Sequence, residues 1–358
     1  MRKIFLLSIA LITLTFMGAG CVSFSSKSTT SGPAGMFISN NRGDTWTQIS
    51  AWPTLDGVKS IANSSVYRIV EDPNDNKAMY MATRENGMFY TYDDGKTWQR
   101  AEGALSSGFV YAIAVHPQDK CIIYASNGTK IYRTDDCSRT WQEVYRESRS
   151  DTMIAAIAFS HVAPYKVFVI ETNGDLLRSF DGSDSWSVVN RFKIRLVNII
   201  THPKDDNLIY IISKSNGLYR SNDGGENWTS LASKMKSFSG SKEYRRHVID
   251  INNPNLIYWV STYGVLVSDT AGDSWQEISL LTPPGSADIY GFAVNPKNTK
   301  EIYYTATINE RSTFYKSMDG GQNWITKKLP SAQIPSILRV HPDHPDWIYL
   351  GFTIPPKK

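Results

Sequence analysis

The sequence has almost no excess of charge of either sign. Its 358 residues carry 38 Lys and Arg against 34 Asp and Glu, which is a formal net charge of +4. A chain that binds DNA or RNA through the phosphates usually carries a strong basic surplus. The near balance therefore argues against a nucleic acid as the partner.

Long apolar runs are also scarce, and the single one lies at the start of the chain. Arg2 and Lys3 precede an apolar run over residues 4–16, which small residues follow. A charged start, a short apolar stretch and small residues at the cleavage site are typical of a secretory signal peptide. The apolar run is shorter than a transmembrane helix requires. We interpret residues 1–20 as this signal peptide.

The residues after the signal indicate how the protein is held outside the cytoplasm. Gly18-Ala19-Gly20-Cys21 resembles a bacterial lipoprotein processing site, which implies a lipid on Cys21. Residues 21–35 are rich in Ser, Thr and Gly and are expected to form a flexible tether. The expectation is a membrane-anchored lipoprotein facing the periplasm or the cell exterior, with a secreted soluble protein as the alternative.

Cysteine is rare, with three residues in the chain. Apart from Cys21, only Cys121 and Cys137 remain, and they flank two short strand-like runs around Asn127-Gly128. Asn-Gly is a strong hairpin signal, so the two cysteines are expected to lie close together in an exported, oxidising compartment. A disulfide is the candidate pairing, and two reduced thiols are the alternative.

Sustained helical periodicity is lacking, and a repeated octet takes its place. Seven of the ten tryptophans end this octet, and successive copies place them 42 to 52 residues apart. The copies are SNNRGDTW (39–46), TYDDGKTW (91–98), TDDCSRTW (134–141), SFDGSDSW (179–186), SNDGGENW (221–228), SDTAGDSW (268–275) and SMDGGQNW (317–324). Three short strand patterns precede each complete octet and a fourth follows its Trp, which is the signature of a propeller blade.

The chain ends indicate how the propeller closes. The N-terminus opens on a third strand and an octet, and the C-terminus closes on a first and second strand without an octet. We predict an all-β fold over residues 36–354: a seven-bladed β-propeller with four-stranded antiparallel blades, whose last blade combines N- and C-terminal strands. Such closure leaves no exposed sheet edge.

The octet resembles the Asp-box, or BNR repeat, of sialidases and sortilin-type receptors. In size, fold and export the chain also resembles the photosystem II stability and assembly factors. The box Asp is expected to accept backbone N–H groups of its own turn and the Trp to pack beneath it, so the box is expected to be structural. Copies with Asn41, Thr270, Ser138 or Ser183 at key positions are expected to form looser turns. The expected structural residues are Asp93, Trp98, Asp136, Trp141, Asp181, Trp186, Asp223, Trp228, Asp319 and Trp324.

Motifs for catalysis and metal binding are missing from the sequence. There is no Gly-x-Ser-x-Gly, His-Glu-x-x-His or phosphate loop, and the three His-Pro turns fall in different repeats. We expect no catalytic residue, metal or cofactor. The expected function is that of a monomer that recognises a protein or glycan at the cell envelope, and activity as an assembly factor is one version of this hypothesis. The candidate binding residues form a basic sector in the loops away from the boxes: Arg191, Lys193, Arg195, Lys234, Lys236, Lys242, Arg245, Arg246 and His247, with Arg146 and Arg149 one repeat earlier.

A glycoside hydrolase of the sialidase or glucanase type is the alternative. Such an enzyme needs two carboxyl groups about 5–10 Å apart in a cleft. The acids that could line the face away from the boxes are Glu71, Glu102, Asp151, Asp250 and Asp288.

Overall fold

The computed structural model describes residues 31–355. The predicted signal peptide and the lipidation site at Cys21 lie outside these residues. Within them, no helix is long and apolar enough to cross a membrane.

Thirty β-strands and two short 3-10 helices, Gly103–Leu105 and Ala232–Met235, make up the described regular structure. In chain order the strands are β1 (Gly35–Ser39) and β2 (Thr47–Gln48); the hairpin β3 (Ala51–Thr54) and β4 (Gly57–Ser60); blade 1, β5 (Val66–Asp72), β6 (Asp75–Thr83), β7 (Met88–Thr91) and β8 (Gln99–Arg100); blade 2, β9 (Ala112–Val115), β10 (Ile123–Ser126), β11 (Lys130–Thr134) and β12 (Gln142–Arg146); blade 3, β13 (Ile154–Phe159), β14 (Val167–Glu171), β15 (Asp175–Ser179) and β16 (Ser187–Arg191); blade 4, β17 (Leu196–His202), β18 (Asp205–Ser213), β19 (Leu218–Ser221) and β20 (Thr229–Ser230); blade 5, β21 (Tyr244–Ile249), β22 (Ile257–Ser261), β23 (Val265–Ser268) and β24 (Gln276–Glu277); blade 6, β25 (Asp288–Asn295), β26 (Asn298–Ile308), β27 (Arg311–Ser317) and β28 (Ile325–Lys327); and β29 (Ile334–Val340) and β30 (Ile348–Thr353).

These strands form seven four-stranded antiparallel sheets, so the predicted seven-bladed propeller is confirmed. Blade 7 has the order β2-β1-β30-β29, which joins the two ends of the described chain in one sheet. Met36 lies opposite Gly351 and Ile38 opposite Tyr349 in that junction. The additional hairpin β3–β4 lies in the connection between blades 7 and 1.

The apolar core lies between blades rather than within them. Each of seven hydrophobic clusters contains residues from two neighbouring blades. Tyr80 and Tyr90 of blade 1, for example, pack with Ile113 and Ile123 of blade 2. A blade therefore buries its two faces only when both neighbours are present, which makes the closing blade essential to the whole ring.

The box turns are built on two consecutive left-handed residues. The fourth box residue has φ from 54° to 78° and the fifth from 70° to 95° in all seven copies. In the fifth copy, Asp223 accepts the N–H of Asn227 at 2.9 Å, and Ser221 accepts the N–H of Gly225 at 2.8 Å. The hydroxyl of the first box residue is therefore a second acceptor for backbone N–H groups in the turn. The sequence had predicted only the carboxylate of the Asp as the acceptor.

The four divergent boxes are not looser than the others. Asn41 accepts the N–H of Thr45 at 2.9 Å, and the Thr270 hydroxyl accepts that of Ser274 at 2.9 Å. The side chains of Asp, Asn and Thr can each bring an oxygen to this N–H group, so the turn survives loss of the carboxylate. Cys137 occupies the fourth box position of blade 2 and is bonded to Cys121 in the adjacent first-to-second-strand turn.

Candidate functional site

The two faces of the ring differ in what they carry. Because strands alternate in direction, the boxes and the first-to-second-strand turns share one face, here called the box face. The second-to-third-strand turns and the inter-blade connections lie on the other, here called the open face. The first strands of all seven blades surround a central channel with a volume of about 860 Å³.

The predicted basic residues divide between this channel and the outer surface. Arg195, Arg245, Arg246 and His247 line the channel. Lys193, Lys234, Lys236 and Lys242 are exposed on inter-blade connections. Arg191 is exposed at the end of β16 and pairs with Asp175 at 3.6 Å. His247 is held neutral, because burial and the nearby arginines lower its pKa to about 3.

Two of the five predicted acids share the channel, and the other three lie outside it. Glu71 and Asp250 line the channel, and Asp288 pairs with Arg245 at 3.2 Å. Glu102 and Asp151 are exposed. Within residues 31–355, no group of three or more His, Cys, Asp or Glu side chains is arranged to hold a metal ion.

A different set of acids, which sequence reasoning missed, converges on the open face between blades 2 and 3. This carboxylate cluster consists of Glu147, Glu171 and Asp175, held beneath the guanidinium of Arg149. Arg149 donates to Glu147 at 2.7 Å, to Glu171 at 2.6 Å and to Asp175 at 2.8 Å. The three acids are buried, whereas the Arg149 side chain is 44% exposed, so the arginine forms the lid of the cluster.

One hydroxyl connects two of these acids. Tyr145 lies 3.3 Å from Glu147 and 3.1 Å from Glu171. Tyr145 lies near the end of β12, the outer strand of blade 2, and Glu147 follows the last residue of that strand. Both residues therefore lie at the open face. Glu171 ends β14 and Asp175 begins β15, so the second-to-third-strand turn of blade 3 supplies the other two acids.

The two bridged acids hold their protons differently. Burial raises the pKa of Glu171 to about 8, and the neighbouring Glu147 carboxyl reinforces the shift. The hydrogen bonds from Arg149 instead lower the pKa of Glu147. At neutral pH the pair therefore consists of one protonated acid and one carboxylate, which is the arrangement that acid–base chemistry requires.

A signal for Glu171 exists in the repeats. Of the other six blades, blade 6 ends its second strand at Ile308 and five end it with a small hydroxyl residue: Thr83, Ser126, Ser213, Ser261 and Thr353. In blade 2 the Ser126 hydroxyl accepts the N–H of Gly128 within the turn at 2.9 Å. Glu171 is the acidic residue at the corresponding position of blade 3. Comparison of the repeats position by position would therefore have identified it.

Two known families match parts of the chain. The family described as Sortilin, neurotensin receptor 3 matches residues 34–158, and the DUF6242 beta propeller domain matches residues 97–241. These matches confirm the resemblance to Asp-box propellers of the sortilin type that the repeats indicate.

Solved structures share the fold at low identity. The GH74 xyloglucanase from Xanthomonas campestris superimposes with a TM-score of 0.63 at 15% identity, over 81% of this chain and 51% of the enzyme chain. YCF48 from Cyanidioschyzon merolae superimposes with a TM-score of 0.61 at 13% identity, over 81% of this chain and 95% of the other. At these identities the likeness shows the fold alone.

The curated relatives correct the predicted function. A xyloglucanase of Paenibacillus sp is 26% identical over 252 residues, which is 64% of this chain and 22% of the enzyme. The chain therefore spans less than a quarter of that relative's length. The predictions of a non-catalytic binding propeller and of a chain that is not an enzyme are contradicted by this match, which favours the glycoside hydrolase alternative. The prediction relied on the absence of known catalytic motifs, and such motifs do not exist for carboxyl groups that come from separate parts of a chain.

Proposed function

We propose that this chain is a glycoside-hydrolase propeller that cleaves a polysaccharide of the xyloglucan type. The match to curated xyloglucanases supports the class of reaction. The proposed catalytic residues are Glu147 and Glu171, because their carboxyl groups are bridged by the Tyr145 hydroxyl on the open face.

The pair has the protonation states that glycosidic cleavage requires. In the proposed reaction Glu171 is the general acid, which protonates the departing glycosidic oxygen, and Glu147 is the carboxylate that attacks the anomeric carbon. Both groups contact one hydroxyl, so they lie closer together than the roughly 6.5–9.5 Å of an inverting pair. The two groups are hydrogen-bonded to each other, so an entering sugar has to part them to the roughly 5–5.5 Å of a retaining pair. Water that Glu171 deprotonates would then hydrolyse the glycosyl ester on Glu147, which completes a double displacement with retained configuration.

Substrate access requires Arg149 to move. The guanidinium contacts both carboxyl groups, and Glu171 has no exposed surface beneath it. Arg149 lies on the connection between β12 and β13 and is half exposed, so an entering sugar can replace its hydrogen bonds without disturbing a strand.

The proposal is tested by measuring release of reducing ends from xyloglucan. Glu171→Gln and Glu147→Gln are each expected to lower kcat at least about a hundredfold, because general acid–base groups contribute roughly 10²–10⁴-fold. Glu143→Gln is the matched control, since Glu143 lies on β12 but pairs outward with Lys130 and Arg146. Activity of the wild type should decline above pH about 8 as Glu171 loses its proton.

Two results would count against this proposal, and they differ in meaning. If the folded wild-type protein releases no reducing ends from xyloglucan or other glucans, the hydrolase function is wrong. If the wild type is active and both Gln variants keep its kcat, the function stands and the assignment to Glu147 and Glu171 is wrong.

We also propose that the propeller works outside the cytoplasm, anchored through lipidated Cys21. The charged start, the apolar run and the small residues before Cys21 support export. In cell fractionation the wild type should be found with membranes, and Cys21→Ser should shift it to the soluble fraction because no acyl chain can be attached. Equal membrane association of both proteins would contradict the anchor.

A further inference from the structure

The central channel carries positive charge that the protein does not neutralise. Its lining includes cations from blades 1, 4, 5 and 7: Arg68, Arg84, Arg195, Lys214, Arg245, Arg246 and Arg339. The acids in the lining are Glu71 and Asp250, and burial raises the pKa of Glu71, which favours its neutral form. Although the chain is nearly neutral as a whole, the channel is strongly positive.

Carboxylate partners are scarce for these cations. Within residues 31–355, Arg245 is the one member with an ion pair, to Asp288 at the channel mouth. Arg246 instead donates to the backbone carbonyls of Tyr290 and Ser336, each at 2.7 Å. It thus joins blades 5, 6 and 7 through neutral acceptors and keeps its charge uncompensated.

The cations are close enough to repel one another. Burial and then Arg245 lower the pKa of Lys214, with Arg195 and Arg246 adding to the effect. Arg68 and Arg339 similarly lower the pKa of Arg246, after the larger effect of burial. Cations gathered in a partly desolvated channel are costly unless an anion accompanies them. This arrangement therefore favours a bound counter-charge.

We propose that the channel is a binding site for a small, multiply charged anion that carries phosphate or carboxylate groups. The volume of about 860 Å³ falls in the range of small-molecule sites. Arginine presents planar donors that match both phosphate and carboxylate oxygens, and strands rather than loops hold most of these arginines in place. A neutral glucan chain would leave the charge unmatched, so this site is distinct from the carboxylate cluster and independent of the proposed hydrolysis.

Isothermal titration calorimetry on the folded chain tests the site, with pyrophosphate as the phosphate probe and citrate as the carboxylate probe. At least one probe should bind with an affinity that falls as salt rises, because the attraction is electrostatic. The double variant Arg195→Gln/Arg339→Gln should lose at least tenfold in affinity. Neither side chain forms a hydrogen bond or ion pair to the rest of the described chain, so folding should persist.

Two matched comparisons make the outcome specific. Lys234→Gln/Lys236→Gln removes the same charge from the exposed surface and should leave the affinity unchanged, and Glu171→Gln should still bind the anion. The probe with the higher affinity shows whether phosphate or carboxylate is preferred. The proposal is overturned if neither probe binds at physiological salt, if the channel variant keeps the wild-type affinity, or if the exposed-lysine variant loses as much affinity as the channel variant.

Discussion

Removal of residues 334–355 is expected to unfold the entire propeller, rather than only the blade to which they belong. These residues form β29 and β30, which pair with each other and with β1. They bury seven large apolar side chains in the two clusters shared with blades 6 and 1: Ile337, Leu338, Val340, Ile348, Tyr349, Leu350 and Phe352. At about 1.5–3 kcal/mol for each buried side chain, the lost burial is roughly 10–20 kcal/mol.

That loss equals or exceeds the whole stability of an ordinary domain, about 5–15 kcal/mol. The truncated chain should therefore show no cooperative thermal transition by near-ultraviolet circular dichroism. A synthetic peptide of residues 334–355, added in trans, should restore part of the transition, because it supplies the two strands that pair with β1 in blade 7. A truncated protein that melts cooperatively within a few degrees of the full chain would show that the blades are stable individually.

Replacement of Arg149 by Met is expected to lower the free energy of unfolding by about 2–4 kcal/mol at pH 7. Removing one partner of a buried ion pair typically costs about 3–5 kcal/mol, and the partial exposure of Arg149 reduces that figure. Met keeps the aliphatic part of the side chain but leaves Glu147 buried without its cation, while Asp175 keeps only its longer pairing with Arg191 at 3.6 Å. Urea unfolding measures the change, and Arg146→Met is the control, since that exposed residue pairs only with Glu143 on the surface.

The pH dependence identifies the cause of the loss. Without Arg149 the buried carboxylates can escape their mutual repulsion only by taking up protons, so the deficit of Arg149→Met should shrink as the pH falls toward 4. Glu171 acts with the opposite sign from an ordinary ion-paired acid. Its pKa is raised from 4.5 to about 8, so the folded chain holds a proton that the unfolded chain has released, and stability falls as pH rises through that window.

Glu171→Gln should flatten that slope, because the amide imitates the protonated acid at every pH. A deficit of Arg149→Met that is the same at pH 4 and pH 8 would mean that lost packing, and not the buried charge, is responsible.

The positions of the basic residues were predicted only in part from the sequence. Arg245 and Arg246 were expected in a loop that faces away from the boxes, and they do lie on that side. The structure places them in β21, however, where they enter the channel, while Lys234 and Lys236 of the same segment remain exposed. The two pairs are separated because Lys234 and Lys236 precede the strand, in and just after the 3-10 helix of the inter-blade connection, whereas Arg245 and Arg246 lie where the register of β21 shifts.

The sequence by itself determined the number of blades, the turns on the box face and the blade shared by the two ends. The blades and the box turns depend on contacts within one repeat, which recurs along the chain. The shared blade follows from the incomplete repeat at each end, although its strands lie at opposite ends of the described chain. The carboxylate cluster and the charged channel were decided only by the tertiary structure. Arg246 meets the carbonyl of Ser336 across 90 residues, and Glu171 gains its shifted pKa from burial beside Glu147 of the preceding blade. Burial and electrostatic repulsion depend on distances in space, which the repeat pattern does not encode.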